Sequence, residues 1–131
     1  AVVRVRLPYH LSAITQAAAR GALAHSTQLL AAVDDLKFQR DRIVVGCREL
    51  GLLVADSDAN FVLFGGFTDQ AAVWRKLLEA GVLVRDVGLP GWLRVTAGTP
   101  DETSAFLSAL TTIAQEPGVV TTATAVGQES T

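Results

Sequence analysis

The sequence predicts a single α+β domain of two layers, in which a small and mostly antiparallel sheet carries helices on one face. Its 131 residues, half of them hydrophobic, are enough for one domain with a core of its own. Two helical patterns come first, and strand, strand, helix, strand, strand and helix follow in that order. A sheet covered by helices is the simplest packing of such elements.

The first half of the chain predicts two helices. Ser12 is the expected N-cap of an alanine-rich helix that runs to about Leu23. Ser26 can cap a second, longer helix, which Gly51 ends. Apolar residues of this second helix recur at steps of four and three, interrupted by Arg40, and therefore predict one buried stripe. The stripe consists of Leu29, Val33, Leu36, Ile43, Cys47 and Leu50.

Four short strands are predicted in the second half. Residues 52–54 form the first, and residues 60–64, a continuous apolar run, are typical of a buried strand. Residues 82–85 and 92–96 form the other two, on either side of the glycine- and proline-containing segment 88–91. The last two strands therefore predict a hairpin.

Two helices accompany these strands. The third helix has Thr68 or Asp69 as its N-cap and ends at Gly81. The fourth has the clearest start in the sequence, because Thr99 is followed by a proline at the first helical position and by Glu102, which completes a capping box. The residues expected to be buried are Val73, Leu77 and Leu78 of the third helix and Phe106, Leu107, Leu110, Ile113 and Ala114 of the fourth.

Composition and motifs exclude several classes of function. A net charge of −2 argues against a basic nucleic-acid binder, and no apolar run approaches the ~20 residues of a membrane span. The sequence lacks the glycine-rich dinucleotide and phosphate loops, the serine nucleophile elbow and any pair of cysteines at zinc spacing. His10 and His25 are interpreted as structural, and Cys47 as a small core residue, so no metal site is predicted.

Arg85 and Arg94 form the strongest candidate site. If segment 88–91 is the turn, antiparallel register places Arg85 directly opposite Arg94, with valines on the face to be buried. Like charges held opposite each other are destabilising, so the pair indicates an anion between them. Guanidinium groups match phosphate or carboxylate in geometry and charge.

Two features of the hairpin keep an alternative open. Each arginine can instead be solvated and paired with its own carboxylate, for which Asp86 is one candidate. Pro90 also occupies the third position of the expected turn, where an ordinary type I turn disfavours proline.

Four segments together resemble a known family. Residues 6–12, 57–61, 81–86 and 91–102 occur in order and are similar to the C-terminal portion of the histidinol-phosphate aminotransferases, which are pyridoxal-phosphate enzymes of fold type I. The similarity covers residues 2–115. It implies three parts: the end of an interdomain helix and a junction at 1–11, the small C-terminal domain at 12–116, and a flexible tail at 117–131.

The resemblance also implies functional roles. Arg85 and Arg94 match the two small-domain arginines that bind the substrate's anionic group, namely the phosphate of histidinol phosphate or a carboxylate of glutamate. Tyr9 and Asn60 match recurrent family positions with no role assigned. The Schiff-base lysine and the other pyridoxal-phosphate contacts belong to a large domain upstream, and neither Lys37 nor Lys76 substitutes for that lysine. No catalytic or cofactor-binding residue is therefore expected in this chain.

The implied whole is a cytoplasmic homodimer in which this chain packs against its own large domain, and the missing initial methionine indicates a piece of that longer protein. It would interconvert L-histidinol phosphate and 2-oxoglutarate with imidazole-acetol phosphate and glutamate. An aromatic amino-acid aminotransferase of the same family, a stand-alone module that binds small anions, and a purely structural interaction domain remain alternatives.

Overall fold

Four helices and a four-stranded antiparallel sheet make up residues 11–121, the part of the chain that the computed structural model describes. The strand order is β1-β2-β4-β3, so β2 and β4 are central. This arrangement confirms the predicted α+β class. The elements are α1 (Ala13–Ala24), α2 (Ser26–Glu49), β1 (Leu53–Val54), β2 (Phe61–Gly65), α3 (Gln70–Glu79), β3 (Arg85–Asp86), β4 (Trp92–Thr96) and α4 (Pro100–Ala114).

The chain divides into two units, one up to Asp34 and one from Asp35 onward. In the first unit, α1 begins as predicted, because the Ser12 hydroxyl accepts a hydrogen bond from the Thr15 N–H at 3.1 Å. No residue of α1 is buried. The prediction that the stripe of α2 is buried is wrong in this unit, because Leu29 and Val33 are exposed. The spacing of apolar residues identifies an apolar helix face but does not show which surface covers it.

In the second unit, the remainder of α2 contributes Ile43 and Cys47 to the core. The helix ends where predicted, because Gly51 adopts a φ of +75° and the next amide donates to the Cys47 carbonyl. Arg40, which interrupts the stripe, instead pairs with its neighbour Asp41.

One face of the sheet is buried and the other is open within the described residues. Val62, Phe64, Leu93 and Val95 alternate along β2 and β4 toward the core. Phe64 packs edge to face against Phe106 of α4, with ring centroids 5.5 Å apart. The helices of this unit therefore cover one face, as expected.

The starts of α3 and α4 follow from their caps. Asp69, not Thr68, caps α3, and its carboxylate accepts from the Ala72 N–H at 2.9 Å. Thr99 and Glu102 form the predicted capping box of α4. The stripe of α4 includes Thr103 along with Phe106, Leu110 and Ile113, whereas Leu78 of α3 is exposed.

The chain after α4 returns to the end of β2. The Thr68 N–H donates to Val119, and the Thr121 N–H donates to Gly66 at 2.7 Å. Val119 and Thr121 are thus bonded to residues 66–68, while the flexible tail at 117–131 stays a prediction. Residues 122–131, and residues 1–10 of the predicted junction at 1–11, lie outside the described part of the chain.

Candidate anion-binding site

The pairing of β3 with β4 places Arg85 directly opposite Arg94, which confirms the predicted register. The strand is shorter than expected, since β3 begins at Arg85 and not at residue 82. Val84 is nevertheless buried and faces away from the arginines, as alternation requires. Both guanidinium groups therefore belong to the open face of the hairpin.

The turn of this hairpin lies one residue later than predicted. The Trp92 N–H donates to the Leu89 carbonyl at 3.0 Å, so the four turn residues are 89–92. Pro90 is then second and Gly91, with a φ of +77°, is third, which are the positions where a type II turn favours these residues. Pro90 is thereby accommodated without changing the register.

Neither arginine is neutralised. Within residues 11–121, the guanidinium groups of Arg85 and Arg94 form no hydrogen bond and no ion pair. Asp86, which was one candidate carboxylate for this pair, instead accepts the Gly88 N–H at 2.8 Å and so stiffens the loop. The alternative in which each arginine has its own carboxylate is therefore not what the structure shows.

Arg94 lies in an unusual environment for a cation. Its side chain is half-buried, with the guanidinium carbon 4.8 Å from the centroid of the Phe61 ring. Its Nε is buried and has no partner within the described chain. A buried N–H without an acceptor is costly, and every guanidinium nitrogen can only donate. The Arg94 Nε–H is therefore available to donate to an anion.

The two arginines line one open pocket of about 530 Å³. Trp74 forms one wall, and its indole N–H donates to the Val84 carbonyl at 2.8 Å. The lining consists of Trp74, Leu83, Val84, Arg85, Asp86, Arg94 and Thr96. This surface combines two forked cations, one hydroxyl, apolar walls and the Asp86 carboxylate, which accepts from the Gly88 amide. The two cations are suited to bind a small organic phosphate or carboxylate.

A second cavity of about 470 Å³ lies beside β4 and the start of α4. Its one carboxylate, Glu102, is already bound to Thr99, and these hydrogen bonds lower the Glu102 pKa below its ordinary value. The cavity is otherwise mostly apolar, so no chemistry is assigned to it.

The remaining candidates behave as structural residues. Burial raises the pKa of the Cys47 thiol to about 12, which makes it a poor nucleophile. The His25 ring bonds to the Gly21 carbonyl at 2.9 Å, while His10 and Tyr9 lie outside the described residues. Asn60 is exposed, and its backbone carbonyl accepts the Ala97 N–H. Residues 11–121 contain no cluster of three potential metal ligands and no helix long and apolar enough to cross a membrane.

The lysines do not fit a pyridoxal-phosphate site. Lys76 donates to Glu116, and Lys37 is an exposed residue of α2. A lysine that forms an imine must instead be desolvated or otherwise activated. The described residues therefore offer no lysine suited to holding this cofactor.

Sequence reasoning missed Phe61 and Trp74. Phe61 alternates with the buried Val62 and lies opposite Thr96, so the β2–β4 register alone would have placed it near Arg94. No feature of the sequence indicates a role for Trp74 at this site, because its hydrogen bond to Val84 depends on how α3 packs.

Comparison with known proteins identifies the family. The model of aminotransferase class I and II matches residues 1–110. The chain belongs to this aminotransferase family. Members of the family depend on pyridoxal phosphate in general.

Individual relatives agree with the resemblance noted in the sequence. This aminotransferase chain is 68% identical over 106 residues to the histidinol-phosphate aminotransferase of Frankia casuarinae, covering 81% of the chain and 27% of that relative. It is 58% identical over 116 residues to that of Streptomyces avermitilis, covering 88% of the chain and 31% of the relative. The chain therefore spans about 30% of the length of these curated relatives.

Solved aminotransferase structures share the fold. A putative aminotransferase from Burkholderia pseudomallei aligns over 86% of the chain and 35% of its own, with a TM-score of 0.75 and 28% identity. The N-succinyldiaminopimelate aminotransferase of Mycobacterium tuberculosis aligns over 80% of the chain and 32% of its own, with a TM-score of 0.62 and 25% identity.

Proposed function

We propose that this aminotransferase chain is the C-terminal part of a histidinol-phosphate transaminase. The reaction converts L-histidinol phosphate and 2-oxoglutarate into imidazole-acetol phosphate and glutamate. The observation that carries the proposal is the pair of unneutralised arginines, Arg85 and Arg94, on one pocket. The names of the relatives supply the substrate, and the pocket supplies groups that bind its phosphate.

In this proposal Arg94 and Arg85 bind the anionic group of the substrate. Arg94 lies on the central strand β4 and presents an unpartnered Nε–H. Arg85 reaches the same pocket from the edge strand. The phosphate of histidinol phosphate and a carboxylate of 2-oxoglutarate or glutamate offer the same kind of acceptor, so one arginine pair serves both substrates in turn. Holding the anion fixes the distance from it to the reacting carbon.

The cofactor and the catalytic lysine belong to the rest of the protein in this proposal. Pyridoxal phosphate, when bound, supplies the electron sink for transamination. Because Lys37 and Lys76 do not fit that site, the 131-residue chain alone is inactive.

A large domain is the proposed cover for the exposed apolar residues of the first helices. Ile14 is 82% exposed and Leu30 is 62% exposed, although both are apolar and lie on helices. α1 buries no residue, and an isolated helix of this length is marginal in water, so we propose that a partner surface covers it. The proposed assembly is a cytoplasmic homodimer whose subunits each contain this large domain.

The test uses the intact gene product that carries this chain, with pyridoxal phosphate, L-histidinol phosphate and 2-oxoglutarate. We expect glutamate to form, and Arg94→Ala to raise the KM for histidinol phosphate by about tenfold or more, because a charge-assisted pair is lost. Phenylalanine as amino donor distinguishes this function from that of an aromatic amino-acid aminotransferase. For such an enzyme, kcat/KM with phenylalanine would exceed kcat/KM with histidinol phosphate. The proposal would be overturned if neither histidinol phosphate nor phenylalanine were transaminated.

A further inference from the structure

We propose that Trp74 is a positioning residue for Arg85, acting through the hydrogen bond from its indole N–H to the Val84 carbonyl. The inference rests on the proposed function, because it gives Arg85 a substrate anion to bind. Nothing about the sequence around Trp74 indicated this role.

The first argument is the weakness of the strand that carries Arg85. β3 has only two residues and lies at the edge of the sheet, so among residues 11–121 only one strand, β4, pairs with it. Residues 82–84 precede it without strand structure. The 2.8 Å bond from the Trp74 Nε1 reaches the carbonyl of the residue just before Arg85. It therefore ties the start of β3 to α3.

The second argument is electrostatic. Arg85 and Arg94 are directly opposite and carry no counter-ion among residues 11–121. Their repulsion favours moving the edge strand away from the central one. A hydrogen bond on the adjacent residue opposes that movement and keeps Arg85 beside the pocket before the anion arrives. This is preorganisation of a binding group.

The third argument is the location of the indole. Trp74 lines the same pocket as both arginines, and its ring is half-buried against the core. Val84 is held independently, since it is only 6% exposed. The ring therefore provides packing, while its N–H provides the directional restraint. Trp74→Phe separates the two, because phenylalanine keeps an aromatic ring and removes the donor.

The first experiment does not depend on activity. Backbone ¹⁵N heteronuclear NOE values are measured for residues 83–86 of the 131-residue chain. We expect them to fall in Trp74→Phe and to be unchanged in Trp92→Phe, the matched substitution of the other tryptophan. Unchanged values in Trp74→Phe, or an equal fall in both variants, overturn the positioning role whatever the enzyme does.

The second experiment measures kinetics in the intact gene product. Trp74→Phe is expected to raise the KM for histidinol phosphate by about three- to tenfold, with kcat unchanged, because one hydrogen bond is lost. In an Arg85→Ala background the same substitution should add nothing, since its effect passes through Arg85. A further loss in that background overturns the inference and leaves the transaminase assignment intact. Absence of transamination in the unmodified protein instead overturns the proposed function.

Discussion

The guanidinium group of Arg94 lies over the ring of Phe61, with 4.8 Å between the guanidinium carbon and the ring centroid. The ring face is the negative end of the aromatic quadrupole and attracts the cation without accepting a directed hydrogen bond from Nε. Arg94 is thus held in place while its donors stay available. This arrangement explains how a half-buried arginine persists without a carboxylate.

Replacing Phe61 should therefore weaken anion binding through Arg94. In the intact gene product, Phe61→Leu is expected to raise the KM for histidinol phosphate by about three- to tenfold, since a partly desolvated cation–π contact is worth about 1 kcal/mol. Phe61→Tyr keeps the ring face and should retain the original KM. A similar rise in both variants would show that the ring face does not act on Arg94.

Removing one arginine should stabilise the 131-residue chain when no anion is present. Arg85→Thr eliminates the like-charge pair on the hairpin and is expected to raise the free energy of unfolding by about 0.2–1 kcal/mol at low ionic strength. The gain should shrink near 1 M sodium chloride, where the screening length is about 3 Å. Urea denaturation measures both effects, with Arg85→Lys as the control that keeps the charge. A gain in Arg85→Lys equal to that in Arg85→Thr would contradict the electrostatic explanation.

Gly65 is required by the close approach of the hairpin loop to β2. A Cβ atom at this position would lie 2.5 Å from Cδ2 of Trp92 and 2.6 Å from the Gly91 carbonyl oxygen. Because the carbonyl is backbone and cannot rotate away, Gly65→Ala should lower the free energy of unfolding by about 1–3 kcal/mol. Gly21→Ala, in α1 and with open space around the added atom, is the control and should cost nothing. Equal urea midpoints for the two variants would refute the close-packing argument.

The capping box of α4 should make stability depend on pH. The Glu102 carboxylate accepts from the Thr99 amide at 2.7 Å, and these bonds hold its pKa below the ordinary value. A lowered pKa means that the carboxylate stabilises the fold fully above its unfolded pKa and loses that effect as pH falls through the folded one. The stability advantage of the unmodified chain over Glu102→Gln should therefore decline across this acidic range.

Thermal unfolding from about pH 7 to pH 2 measures that decline. Glu79→Gln provides the control, because Glu79 is exposed and its carboxylate forms no hydrogen bond or ion pair with another residue in the range 11–121. If the difference in unfolding temperature between Glu102→Gln and the unmodified chain did not change with pH, the ionised carboxylate would not have the proposed stabilising role.

Local signals predicted much of this fold. The caps at Ser12 and Thr99 were identified because a hydroxyl that binds a nearby amide acts within a few residues. The register of Arg85 with Arg94 followed from strand alternation and a short connection. The shift of the turn to 89–92 was missed, although Pro90 marked the difficulty.

What depends on distant parts of the chain was not predictable. The spacing of Leu29 and Val33 indicated an apolar face but carried no information on its cover. Likewise, the residue spacing predicted the arginine pair but did not predict the two aromatic residues that contact or position it. Phe61 reaches Arg94 through the pairing of β2 with β4, and Trp74 reaches Val84 through the placement of α3.

The two arginines also differ in how many strands adjoin the strand that carries them. Arg94 belongs to an inner strand flanked on both sides, so changes around it disturb β2, β3 and the core together. Arg85 begins the edge strand, which has one neighbouring strand, although Val84 just before it belongs to the core. If the pair binds an anion as proposed, randomising residues 85–88, which leaves the buried Val84 unchanged, is expected to alter the preferred length and charge of that anion while Arg94 is retained.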